Sequence, residues 1–251
     1  MGGGWWKNVI RPRPLEKRCA SFIKNVLLRG HNRAVSHAIT DKLTVDYKDY
    51  SFRTSDPSHM HRHFLLPLFD LCGDLLRPGA RILDVGCGNG YTAGQFIKRR
   101  CNVVGIDLSH TGIELARSTY PSGRFEVLEA DDRILGNLGC DPFDLVVSTE
   151  VVEHLYAPRP YVRGCYHALR PGGRFICSTP YHGYLKNLVL ALLNKHDSHA
   201  NPLWDGGHIK LWSHHTLSIL LSEAGFVNLQ FRGAGRFPYL WMTMLMSGDR
   251  P

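Results

Sequence analysis

From residue 81 onward, short apolar runs alternate with stretches of helical periodicity. Arg81-Ile82-Leu83-Asp84-Val85 has the pattern of a short buried strand and runs into a cluster of glycines. A helix over 91–100, a strand over 102–106, a helix over 110–118 and a strand over 124–128 are predicted next. An irregular stretch follows, then a strand over 143–147, a helix over 158–169 and, after Pro171-Gly172-Gly173, a strand over 174–178. Strands that alternate with helices of this length predict βαβ units and a parallel sheet covered on both faces. Residues 180–212 interrupt the rhythm. A helix over 214–224 resumes it. Strands near 226–232 and 239–246, separated by Gly233 and Gly235, predict a closing hairpin at the sheet edge. Upstream, a helix over 59–76 ends at Pro78-Gly79, residues 44–58 are polar and turn-rich, and residues 15–43 carry Phe22, Val26, Leu27 and Ala34 at helical spacing. The expected organisation is a helical extension over 1–58 and a domain over 59–251, with an insertion at 180–212.

Composition narrows the class. The chain has 251 residues, 43% hydrophobic and 21% charged, which excludes disorder along its whole length. The uninterrupted aliphatic run Leu188 to Leu193 is far short of the ~18 residues a membrane span needs. The net charge of +8 is concentrated in residues 1–33, where eight Lys or Arg face Glu16 alone. The rest of the chain is nearly neutral, so no DNA partner is expected. The basic extension suits packing on the domain, contact with an anionic surface, or organelle targeting. Seven cysteines without a C-x-x-C pair fit a reducing compartment. The expected location is cytoplasmic, with peripheral contact at a membrane surface.

The sharpest local signal is Leu83-Asp84-Val85-Gly86-Cys87-Gly88-Asn89-Gly90, where a strand turns into a helix. Glycines 86, 88 and 90 let the backbone turn tightly and approach a ligand. Asp107 ends the next strand, where a carboxylate can accept both hydroxyls of a ribose. Asp84 lies two residues before the first glycine and would repel a pyrophosphate. It would welcome a cationic ligand. The third glycine of a dinucleotide fingerprint is replaced by Tyr91. The site therefore reads as one for S-adenosylmethionine rather than for a nicotinamide dinucleotide.

With these motifs, and with Leu169-Arg170-Pro171-Gly172-Gly173-Arg174-Phe175, the chain resembles the class I S-adenosylmethionine-dependent methyltransferases over roughly residues 59–232. The resemblance implies an α/β fold, a doubly wound, mostly parallel seven-stranded Rossmann-like sheet, here with a helical N-terminal extension and an inserted lid after strand 5. It implies that Gly86, Gly88 and Gly90 shape the turn around the methionine part of the cofactor and that Asp84 orders it. Asp107 would hold the ribose, Leu108 would lie on the adenine, and Asp131 would meet the adenine amino group. At that last position Glu129-Ala130-Asp131-Asp132 departs from the family's usual Gly-Asp-Ala.

Glu150, Glu153 and His154 follow the fourth strand at i, i+3 and i+4. On one helical turn they would share a face, and a divalent cation would relieve the accumulated carboxylates. This E-x-x-E-H run is similar to that of the ubiquinone-biosynthesis O-methyltransferases and of the small-RNA 2′-O-methyltransferases. There the run is associated with a divalent metal such as magnesium, completed by a later histidine, here His208. Without a metal, His154 is the candidate general base, with Glu150 beside it and His182 after the fifth strand as a second candidate. His59, His61 and His63 form a further group at a helix start, read as solvated or as a lid contact. The apolar helix at 184–195 reads as buried against the sheet, as a lid over a lipophilic acceptor, or as a segment dipping into a membrane surface together with the basic arm.

The expected activity is methyl transfer to a hydroxyl of a small phenolic or quinone-precursor acceptor. Methylation of nitrogen or carbon on another metabolite, of an RNA 2′-hydroxyl, and cofactor binding without catalysis are the alternatives. Oligomeric state has no signal in the sequence.

Overall fold

The computed structural model describes residues 51–251, apart from Asn201 and Asp205. The helix expected over 15–43 and the basic arm lie outside the described residues. In chain order the elements are α1 (His61–Cys72), a 3₁₀ turn (Gly73–Leu75), β1 (Arg81–Val85), α2 (Tyr91–Ile97), β2 (Asn102–Asp107), α3 (His110–Thr119), β3 (Arg124–Val127) and α4 (Ile134–Leu138). They continue with β4 (Phe143–Thr149), α5 (Pro158–Ala168), β5 (Leu169–Pro180), α6 (Tyr184–Leu192), α7 (His196–Ala200), α8 (His214–Glu223), β6 (Val227–Ala234) and β7 (Thr243–Asp249).

The seven strands form one sheet in the order β3-β2-β1-β4-β5-β7-β6. Strands β1 to β5 are mutually parallel, and β7 runs antiparallel between β5 and β6. The doubly wound, mostly parallel sheet expected from the sequence is therefore present, and its closing hairpin sits at the edge. Alternation along the strands explains the two covered faces. Ile82, Val103, Leu145 and Val147 pack with Phe64, Leu68, Phe96 and Ile113 on one side. Leu83, Val85 and Val146 pack with Tyr161, Val162, Cys165, Leu217 and Leu221 on the other.

Differences from the sequence expectation have local causes. β5 begins at Leu169 rather than 174, because Leu169 already pairs with Phe143 before the register shifts and Arg174 pairs with Leu145. Pro171-Gly172-Gly173 is thus a bulge inside a longer strand, fastened by Gly172 N to Arg250 O and Arg250 N to Gly173 O, both 2.8 Å. β7 starts at Thr243, four residues late, since Leu240 N bonds to Phe237 O and closes a turn there. α4 and α7 are short helices that no periodicity announced.

Candidate active site

The order of strands reverses between β1 and β4, and ligands of open α/β sheets settle outside the carboxyl ends of the strands at such a point. Here the two flanking loops touch. A Cβ placed on Gly86, whose φ is +76°, would lie 2.3 Å from Cγ2 of Val151 in the loop after β4. Only glycine allows that approach.

The loop after β1 is built to hold a ligand. Asp84 is fully buried, and neither carboxylate oxygen has a hydrogen-bond partner. Burial, and secondarily the Asp107 charge, push its carboxyl up to about 7. An orphaned carboxylate at this place is what a cationic amino-acid head would satisfy. Asp107 accepts the amides of Gly88 (Oδ2) and Ser109 (Oδ1), each at 2.8 Å, which fixes its position beside the turn. Leu108 is exposed, as a surface awaiting a flat apolar partner would be. These residues fit S-adenosylmethionine. Asp131 is differently committed: Oδ2 accepts Arg133 Nε (2.8 Å) and Nη2 (2.6 Å), and Oδ1 accepts the Arg133 amide at 2.8 Å. That bonding, the amide first, holds its carboxyl below the usual range.

Sequence reasoning missed a strap across this loop. Asn89 Nδ2 donates to Thr54 O (2.9 Å) and Asp56 O (3.0 Å), and the Phe52 amide donates to Thr111 Oγ1 at 3.2 Å. The Phe52 ring lies against Gly88, where a Cβ would be 2.6 Å from Cζ. The asparagine in Gly-Cys-Gly-Asn-Gly was the available signal, but nothing local marks Phe52.

Across the switch point, Glu150, Glu153 and His154 do not share a helical face. Glu150 has φ +57°, and the residues after it form a turn closed by His154 N to Val151 O at 3.0 Å. The left-handed residue swings Glu150 toward β5 and β7. Its Oε1 receives the hydroxyls of Ser178 (2.7 Å) and Thr243 (2.8 Å). The Thr243 proton is shared with Thr179 O at 2.9 Å. Burial raises the Glu150 carboxyl, and these hydroxyls and the Lys186 charge oppose the rise.

Glu153, His154 and His208 do come together. One ligand atom from each lies within 4.8 Å of the other two. The segment after α7 is laced onto the β4 loop, which is how a histidine so distant in sequence arrives. Ile209 N and Lys210 N both donate to Glu153 O at 3.0 Å, and Trp212 Nε1 donates to Val152 O at 3.2 Å. His154 Nδ1 faces Gly207 O at 3.2 Å. A carbonyl only accepts, so Nδ1 carries the proton and Nε2 keeps its lone pair. That nitrogen stands 3.9 Å from Glu153 Oε1. Burial lowers His154, and brings His208 down to about 4 with help from His154. Glu153 is 1% exposed, without a hydrogen-bond partner, and pushed well up by burial and by Glu150. Two imidazoles held towards their neutral form and a buried, unpaired carboxyl form a donor set suited to a divalent cation.

His182 is buried beside His199, with ring centroids 5.3 Å apart, and burial then Lys186 bring it down to about 4. It is not part of the ligand trio. His61 packs edge-on against Tyr91 at 4.7 Å, near the cofactor turn, whereas His63 accepts from Arg62 Nε at 3.1 Å and His59 is exposed. Among the described residues no helix is long and apolar enough to cross a membrane.

Comparison with known proteins agrees with this geometry. The family model described as a methyltransferase domain matches residues 58–230, more than half of the chain. A ubiquinone biosynthesis O-methyltransferase of Roseobacter denitrificans is 30% identical over 181 residues, covering 68% of this chain and 69% of that protein. A protein of the same name from Cereibacter sphaeroides is 35% identical over 114 residues, 44% of this chain and 45% of that protein. A probable S-adenosylmethionine-dependent methyltransferase of Mycobacterium tuberculosis is 31% identical over 159 residues, 63% of this chain and 53% of that protein. The match thus spans about half the length of the latter two. Among solved structures, a putative methyltransferase from a complex with the Haloferax volcanii Trm112 activator superposes with a TM-score of 0.58 at 20% identity, over 76% of this chain and 92% of that one. Magnesium protoporphyrin IX methyltransferase from Synechocystis superposes at 0.53 with 18% identity, over 74% and 80%. At such identities these likenesses speak for the fold alone.

Proposed function

Because the chain belongs to the class I S-adenosylmethionine-dependent methyltransferases, we propose that it methylates a hydroxyl of a small phenolic or quinone-precursor acceptor with the help of a divalent cation. The observation that carries this reading is the meeting of Glu153, His154 and His208 at the end of β4, against the cofactor loop. The cofactor brings a methyl group on a positively charged sulfur, already bound to a good leaving group. The protein must then bind, align and deprotonate.

Asp84 and the glycine turn hold the cofactor's amino-acid end, and Asp107 with Leu108 its nucleoside. Glu153, His154 and His208 would hold the cation, which would lower the pKa of the acceptor hydroxyl and orient it. Gly207 O fixes the His154 tautomer so that Nε2 faces inward, the outer-shell device common at metal sites. In the absence of a cation the same Nε2 lone pair is the base that takes the proton. Glu150 stands apart from the trio and positions the pocket wall through Ser178 and Thr243. Alignment of hydroxyl, methyl and sulfur supplies most of the rate in such a displacement.

Residues 180–212 form the lid of this domain, and residues 1–58 a basic extension to it. On α6, Leu185, Leu188 and Leu192 face outward, and Leu193 just after it is exposed too. Such a patch suits contact with a membrane surface from which a lipophilic acceptor is drawn.

The test is transfer from labelled S-adenosylmethionine to catechols and prenylated phenols, with and without EDTA. Activity lost with EDTA and restored by one of magnesium, manganese or zinc, and abolished in Glu153→Gln and His208→Ala, supports the reading. Transfer indifferent to EDTA overturns the cation and leaves His154 as base. Transfer only to amines overturns the acceptor class.

A further inference from the structure

The lid carries one large aromatic ring to the edge of the ligand trio. The Trp204 indole lies 5.8 Å from the His154 ring, at 80° to it, and 6.0 Å from the His208 ring, at 64°. Apart from the two imidazoles themselves, no other ring among the described residues pairs with either of them. An indole that served only to fill the loop would gain most by full burial, since its apolar area is large. Trp204 is instead 39% exposed. A broad apolar surface is therefore left open directly beside the groups that would take or polarise the acceptor hydroxyl.

The turn that carries the indole also holds the trio. Gly207 N donates to Trp204 O at 2.9 Å, and Gly207 O is the carbonyl that His154 Nδ1 meets at 3.2 Å. The turn needs its two glycines. Gly206 has φ +123°, in the region that favours glycine, and a Cβ on Gly207 would stand 3.0 Å from Trp204 O and 3.4 Å from Cε3 of the indole. His208 follows at once, and Ile209 N and Lys210 N then fasten the chain to Glu153 O. One short stretch thus sets the His154 tautomer, delivers His208 and stands the indole beside both. The distance from the ring to the trio is fixed by backbone bonds, as a specificity surface requires.

We infer that Trp204 selects the acceptor: the planar ring of an aromatic acceptor packs against its indole while the hydroxyl on that ring reaches the trio. A phenol carries its ring one bond from the oxygen. A hydroxyl at the trio therefore brings that ring within reach of the indole, because aromatic pairs attract over roughly 4.5–7 Å between centroids. A saturated alcohol brings no flat face to the same place. Trp204 itself takes no proton and ligates no cation, since indole Nε1–H only donates. Its part is to hold the acceptor. This rests on the hydroxyl-acceptor reading above and adds the residue that makes the acceptor aromatic.

The experiment uses the full chain with S-adenosylhomocysteine and manganese, and compares the binding of catechol with that of cyclohexane-1,2-diol by calorimetry. Catechol is also the better cation ligand, so the share that Trp204 supplies is read from the variants. The wild type is expected to bind catechol the more tightly. Trp204→Ala should shrink that preference about tenfold, the scale of one lost aromatic pair with its buried area, and Trp204→Phe should keep most of it. In the transfer assay Trp204→Ala should raise KM for catechol more than it lowers kcat. Manganese affinity and melting temperature should match the wild type in both variants, which a ring that only props the histidines would not allow. A catechol preference unchanged in Trp204→Ala overturns the inference, and so does a manganese affinity that falls in step with catechol binding. A preference that depends on Trp204, without methyl transfer to any phenol, supports the aromatic contact and sinks the phenolic acceptor instead.

Discussion

Asp84→Asn is the most informative single substitution, because the wild-type carboxylate is both a binding group and a source of instability. Asp84 is fully buried with no partner on either oxygen, and its carboxyl rises from 3.8 to about 7 in the folded chain. A raised acid pKa means that the folded state holds the proton more tightly than the unfolded state. The penalty is absent below about pH 4, grows as pH rises through the window from 4 to 7, and is complete above it. At 1.36 kcal/mol per unit, the full penalty in the cofactor-free protein is about 4 kcal/mol. Roughly 2–3 kcal/mol of it develops between pH 5 and pH 8.

Asparagine carries no charge, so this pH-dependent part vanishes in the variant. Its amide is still buried without partners, which costs roughly 1–3 kcal/mol at every pH. The net effect is that cofactor-free Asp84→Asn is more stable than wild type at pH 8, and loses that advantage at pH 5. Urea unfolding at the two pH values measures the difference directly. S-adenosylmethionine should stabilise the wild type much more than the variant, since a cationic head relieves the carboxylate and not the amide. Parallel pH slopes for the two proteins would refute the argument, as would equal stabilisation by the cofactor.

Three further outcomes follow from other parts of the site. Gly86→Ala combines φ +76° with a Cβ 2.3 Å from Val151, and should lose roughly 2–4 kcal/mol in urea unfolding; adding Val151→Ala should recover the clash but not the backbone strain. His154 is lowered from 6.5, so kcat/KM should stay level from pH 8 down past 6.5 and fall only below it; an acidic limb at or above 7 would remove His154 from the proton path. Leu188→Glu with Leu192→Glu should weaken sedimentation with anionic vesicles about tenfold or more, while surface changes of this kind leave folding stability within about 0.5 kcal/mol. Unaltered vesicle binding would remove α6 from the membrane reading.

How much of this was readable beforehand depends on whether the cause is local. The cofactor half was legible because its constraints are backbone constraints. A strand that must turn at once into a helix needs glycines in a fixed place, and Gly86 and Gly90 have the positive φ that the spacing implied. Asp107 was legible for the same reason, as the last residue of a strand whose pattern is plain. The acceptor half is assembled over long separations. Glu150 has the left-handed conformation that only the tight exit from β4 imposes, so its spacing to Glu153 misled. The 53 residues between His154 and His208 are bridged by bonds of Glu153 O and Val152 O to backbone and indole donors that carry no motif. Lys186 is the sharpest case. Read as a string, Tyr184 to Lys195 is an apolar helix with a lysine near each end, and such lysines are assumed to reach for water. Met242 and Glu150 beneath α6 reverse that assumption, and a helix that hides its one cation and shows its leucines is under a pressure that hydrophobicity alone does not supply.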